Sequence, residues 1–131
     1  MNSTKSLSNL YGDKPLDRPE YDSHLARECH RLWNEPINKL SVENLRMLIG
    51  QNIGLEYLVP KALDILESNP FSQGHMYKGD LILSVARVES SFWSNNTDLN
   101  NRLVELRIDL NEILETLTEE IMPLLKEYEY K

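Results

Sequence analysis

The stretch Leu45–Val85, LRMLIGQNIGLEYLVPKALDILESNPFSQGHMYKGDLILSV, decides how the chain is read. It holds four of the five glycines and two of the six prolines, set among closely spaced apolar residues. Glycine serves where the backbone takes a positive φ or approaches another group closely, and proline where a turn or helix start is fixed. Punctuation at Gly50, Gly54, Pro60, Pro70, Gly74 and Gly79 therefore specifies helix ends and turns, with no charge cluster suited to catalysis between them. It is a scaffold signature, and a scaffold alone does not disclose a function.

Within and just before that stretch, Ser41 precedes Val42, Leu45, Leu48 and Ile49, a short amphipathic helix that Gly50 can end in the left-handed conformation. Ile53–Val59 fits a helical turn or a strand, and periodicity does not separate the two. Pro60 disfavours helix at Val59 and suits the first turn of a helix running to about Glu67, with Ala62, Leu63, Ile65 and Leu66 as its buried face. Asn69–Lys78 has loop composition. Gly79-Asp80 then opens a helix, capped by Asp80, that runs through Leu81, Leu83, Val85 and Val88 to about Trp93.

Working outward, residues 1–19 are polar and aperiodic, a loosely ordered N-terminal arm on which Leu7, Leu10 and Tyr11 can dock. Leu25, Cys29 and Leu32 give helical spacing from about Tyr21 to Trp33, with Asp22 or Ser23 as cap and Pro36 closing the element. The last element carries a stripe of Leu99, Leu103, Leu106, Leu110, Ile113, Leu117, Ile121 and Leu124, spaced by three and four. Such a stripe is expected to pack against other helices, with Thr97 or Asp98 capping its start and Pro123 kinking or ending it. The fold expected is all-α: a single-domain compact bundle of five or six helices over residues 20–131, with a long C-terminal helix.

The chain has 131 residues, 40% of them hydrophobic and 27% charged, which is ordinary for one soluble domain. Its net charge of −7 argues against sequence-independent binding of nucleic acid, where Lys and Arg neutralise phosphates. The charge is uneven: Asp80–Lys131 has 11 acidic and 5 basic residues, whereas Met1–Gly79 has 10 and 9. Cys29 is the only cysteine, so no intramolecular disulfide forms, and a reducing, cytoplasmic setting is expected. No signal-peptide core and no apolar run of ~20 residues occurs, so no membrane association is expected.

Groups able to do chemistry are sparse. His24 and His30 are six apart, whereas two ligands one helical turn apart are four apart. Cys29 falls on the apolar face as a small core residue. Asp80 and His75 are close enough in sequence for their loop to fold them together, yet a cap Asp beside a loop His is the simpler reading. Gly74–Gly79 lacks the Lys-Ser/Thr pair of a phosphate loop. Trp33, Phe92 and Trp93 lack the flanking Lys and Arg of a base-stacking surface. The expectation is no catalytic residue, no metal, no cofactor and no enzyme.

The central block resembles immunity proteins of bacterial contact-dependent growth inhibition (CDI) systems. The resemblance rests on Leu45-Arg46, Ile49-Gly50-Gln51, Gly54-Leu55, Leu58-Val59-Pro60, Ala62-Leu63, Asn69-Pro70, Gly74, Tyr77 and Gly79-Asp80-Leu81, followed by Phe92-Trp93. His75-Met76 departs from it, where an acidic or aromatic residue is expected. The resemblance implies a protein that binds and neutralises the toxic C-terminal domain of a CDI effector. Such toxins are frequently nucleases, RNases among them, and often basic. The matching residues are fold determinants, so they do not name the contacts. On charge, the expected toxin-facing acids are Asp98, Glu105, Asp109, Glu112, Glu115 and Glu119, with Tyr128 and Tyr130 as anchors. The plainer alternative for each is a solvated helix face, and for the chain a helical adaptor unrelated to toxins.

Overall fold

Caps and turns written into the sequence set most element boundaries in this computed structural model, which describes residues 4–16 and 23–131. Those residues form α1 (Leu7–Leu10), α2 (His24–Trp33), a 3₁₀ turn (Ile37–Lys39), α3 (Val42–Gly50), α4 (Leu55–Ser68), α5 (Asp80–Ala86), α6 (Ser90–Asn95) and α7 (Thr97–Thr116). After α7 the helix continues through a π-helical turn (Leu117–Ile121) into α8 (Met122–Leu125). The described residues contain no strand, so the architecture is the all-α bundle with a long C-terminal helix that the sequence predicts.

Ser23 caps α2 by accepting from the Ala26 N–H. Ser41 and Asn44 form a reciprocal capping box at α3. The end of α3 departs from expectation: Gly50 is its last helical residue, and Asn52 is the one that takes a positive φ, of 59°. The Ile53 N–H then donates to the Leu48 carbonyl and the Asn52 N–H to Ile49, a Schellman closure with asparagine in the left-handed position. Ile53 and Leu48 are both buried beneath it.

The ambiguity at Ile53–Val59 resolves to helix from Leu55 onward. Gly54, at φ 64°, begins α4, and a Cβ there would meet Leu7 Cδ2 at 2.7 Å, so glycine is required twice over. Pro60 lies inside α4 instead of at its first turn, and Val59 is helical. Proline removes only the bond to the exposed Glu56 turn, while Leu58, Val59, Ala62, Leu63 and Leu66 are all fully buried. Packing outweighs the local preference. The helix expected over 80–93 is also two, α5 and α6, and the break leaves the Val88 carbonyl to accept from Trp93 Nε1 at 3.2 Å.

The core gathers around α3, which packs on α2, α4 and α5, while α4 also meets α5 and α7. Cys29, Leu32, Leu45, Leu48, Ile49, Leu63, Leu81 and Val85 lie within it, Cys29 as the expected core residue. Within the arm expected over 1–19, Leu7, Leu10 and Tyr11 take the docked course that the sequence allows. Leu7 is fully buried, Ile37 N–H donates to the Lys5 carbonyl at 2.9 Å, and Tyr11 stacks on Trp33 at 5.3 Å between ring centroids. One leucine in the core and one stacked ring are enough to fix so short a segment. Residues 1–3 and 17–22 lie outside the described residues, and with them Tyr21 and the cap candidate Asp22.

Candidate functional site

Two regions hold the chain's charged groups in distinct ways. The first is a buried ionic cluster between α3, α5 and the loop 69–79. Glu43, only 9% exposed, accepts from Arg46 Nε at 2.7 Å and Nη2 at 2.6 Å, and from the His75 backbone N–H at 2.9 Å. Asp80 accepts from the backbone N–H groups of Gly74 at 2.7 Å and Met76 at 3.0 Å, with Arg46 Nε 3.9 Å away. Hydrogen bonds from Arg46, reinforced by the His75 N–H, hold the Glu43 carboxyl down at about 2 against burial. A Cβ on Gly74 would meet Glu43 Oε1 at 2.5 Å, which is why this loop position is glycine.

This cluster corrects one expectation. Asp80 is the first residue of α5, preceded by Gly79 at the cap, and its carboxylate ties down the preceding loop instead of capping its own helix. Asp80 and His75 do come together, through Glu43, but the His75 ring is largely exposed and 3.8 Å from Glu43 Oε2. Sequence reasoning missed Glu43 and Arg46. Their three-residue spacing at the start of a capped helix was the available signal. The cluster is saturated with internal hydrogen bonds, so its chemistry is that of a loop clamp.

The second region is the long C-terminal helix. Asn96 precedes α7 without capping it and donates from its side chain to the Phe92 carbonyl, so neither Thr97 nor Asp98 is the cap. Arg102 binds α7 to α4: its guanidinium reaches Asp64 at 2.6 Å and Glu67 at 2.7 Å. Leu99, Leu103 and Leu110 pack on the core, and Leu106 is 3% exposed. Beyond Leu110 no described residue encloses the stripe, contrary to the expectation that its whole length packs. Ile113, Leu117 and Ile121 are each about 40% exposed and Leu124 is 74% exposed. Pro123 lacks the N–H and crowds the carbonyl four residues back; the π turn Leu117–Ile121 absorbs the misfit, and the helix runs on to Leu125.

Asp98, Glu105, Asp109, Glu112, Glu115 and Glu119 are all exposed along this helix, and Tyr128 and Tyr130 stand exposed beyond its end. They do not form one patch. Asp98 and Glu119 are about 30 Å apart at 1.5 Å per residue. Asp109 and Glu112 line a groove with Leu66, Glu67, Pro70, Leu106, Ile113 and Leu117, whereas Glu105 and Glu115 are not among its walls. Among the described residues, none of these acids has a cationic partner, and no group of three or more His, Cys, Asp or Glu side chains is placed to hold a metal ion. His24 and His30 are both exposed on α2, and no helix of the described residues is long and apolar enough to cross a membrane.

The described residues thus form a helical body held by internal clamps and carrying an exposed apolar and acidic helix. The sequence profile of the CDI immunity proteins matches residues 10–103, most of the chain, and the chain belongs to that family. Membership favours toxin neutralisation over the adaptor reading. No curated protein and no solved structure matches the chain significantly. The matched segment ends at Leu103, so all the expected toxin-facing residues except Asp98 lie beyond it.

Proposed function

We propose that this immunity protein neutralises a basic nuclease toxin, an RNase being one such class, by presenting the acidic side of α7 to it in the cytoplasm, without catalysis of its own. The observation that carries this reading is the set of uncommitted carboxylates on α7 and its continuation. Glu43, Asp80, Asp64 and Glu67 are spent on internal partners, while Glu105, Asp109, Glu112, Glu115 and Glu119 have none among the described residues. A nuclease must offer cationic groups to the phosphates of its substrate, and carboxylates compete for those groups. Complementary charge speeds encounter, toward ~10⁸ M⁻¹s⁻¹ at low salt, and rewards a cell that must stop an enzyme quickly. Tyr128 and Tyr130 supply exposed rings of the kind that anchor interfaces.

The test is co-expression with the toxin domain of the effector encoded beside this chain, scoring growth and co-purification. Growth is expected to be rescued and the two to co-purify. The triple change Glu105→Lys, Asp109→Lys, Glu112→Lys is expected to slow association about 10- to 100-fold at low salt, with the difference shrinking as salt rises. An unchanged rate and salt dependence contradicts the acidic-face reading. A toxin domain that is not a nuclease contradicts the substrate class.

A further inference from the structure

We infer that the groove between the end of α4 and the exposed length of α7 is the seat of the toxin, and that it takes a segment bearing apolar residues flanked by Lys or Arg. This rests on the reading above and locates the contact within it. The groove has an apolar floor made by Leu106, Ile113, Leu117, Ile121 and Pro70. Its uncommitted charged walls are Asp109 and Glu112, beside a Glu67 already held by Arg102, and no Lys or Arg among the described residues lines it. An apolar floor with walls of one charge sign selects both features in its occupant: apolar side chains to cover the floor, cations to meet the walls.

Three observations favour that occupant. Every residue from Asn111 to Lys131 is exposed, the apolar Ile113, Leu117, Ile121 and Leu124 among them. A second copy docking groove to groove would instead set Asp109 and Glu112 against the same acids, and residues 104–131 carry 8 acidic and only 3 basic residues. Like charge across the seam opposes self-association. Finally, the floor lies almost wholly outside the segment shared with the family, residues 10–103, so the recognising surface is appended to a common body.

The acids then divide by role. Asp109 and Glu112 touch the bound segment. Glu105 and Glu115 are not among the groove's lining residues and act only at range, on encounter. Binding kinetics separates the roles, using the full chain and the purified toxin domain encoded beside it. Ile113→Asp with Leu117→Asp is expected to raise the dissociation rate about 100-fold, since truncating or charging a central anchor acts there. Glu105→Ala with Glu115→Ala is expected to slow association about two- to five-fold and leave dissociation within about two-fold. Circular dichroism and the midpoint of unfolding check that each variant folds; Ile113→Ser with Leu117→Ser serves if the aspartates do not, with about a 10-fold rise expected. Wild-type kinetics from the folded groove variants overturns the groove while leaving toxin binding intact. A groove variant that instead converts a wild-type dimer to monomer overturns it in favour of a second copy. A wild-type chain that binds no toxin domain at all overturns the functional reading beneath it.

Discussion

The two halves of the C-terminal helix carry the same pattern and meet different fates. From Thr97 to Leu110 the stripe rests on the body, with Leu106 enclosed and Arg102 bound to Asp64 and Glu67 of α4. From Asn111 onward nothing in the described residues covers it. The difference is one of length. At 1.5 Å per residue the 14 residues of α4 span about 21 Å, and the 20 residues of α7 alone about 30 Å before its continuation is counted. An apolar stripe states that a face is to be covered; it does not state by what. In this family member the body takes the first half and leaves the second exposed among the described residues.

Identical substitutions in the two halves are the strongest way to break that comparison. Leu106→Asp buries a charge in the core and is expected to cost about 4 kcal/mol or more, enough to unfold much of a marginally stable population. Leu117→Asp, on the same helix and in the same stripe, is expected to change stability by less than about 0.5 kcal/mol. Urea denaturation of both measures the contrast. Equal losses would mean that the distal half is packed after all.

The loop clamp sharpens it from the other side. Glu43 titrates near 2 in the folded chain against 4.5 unperturbed, so between those values the unfolded chain binds more protons. The stability it contributes is fully present above about pH 4.5 and is lost as pH falls toward 2, at most about 3 kcal/mol in all. Glu43→Gln is expected to lower stability at neutral pH and flatten the decline between pH 4.5 and 2. An acid limb unchanged by that substitution would contradict the clamp.

Much of this was legible in the residues. Hydroxyl caps at Ser23 and Ser41, Cys29 and Leu32 on the core face of α2, the core face of α3, and the existence of a long last helix all follow from local chemistry that the fold leaves intact, whereas Leu25 at the same spacing is 39% exposed. Other features were decided by packing and were not. Gly50 looked like the left-handed stop, but Asn52 serves because Ile53 must turn inward over Leu48. Pro60 looked like a helix start, and the burial of Leu58 and Val59 carried the helix past it. Asp80 looked like a cap because its sequence position allows one, whereas its partners, Gly74 and Met76, are fixed only by the fold of a loop. For the candidate surface, the acids and the stripe were plain in the sequence, but not which acids share a groove with which part of the stripe. That required knowing where α4 ends.

Hydrogen–deuterium exchange on the full chain, alone and with the toxin domain encoded beside it, tests the division of labour most directly. In the free chain, amides of 99–110 are expected to exchange more slowly than those of 113–125, and the toxin is expected to add protection chiefly between Leu106 and Ile121. Added protection confined to the loop around His75 or to α2, with 106–121 unaltered, would contradict the account.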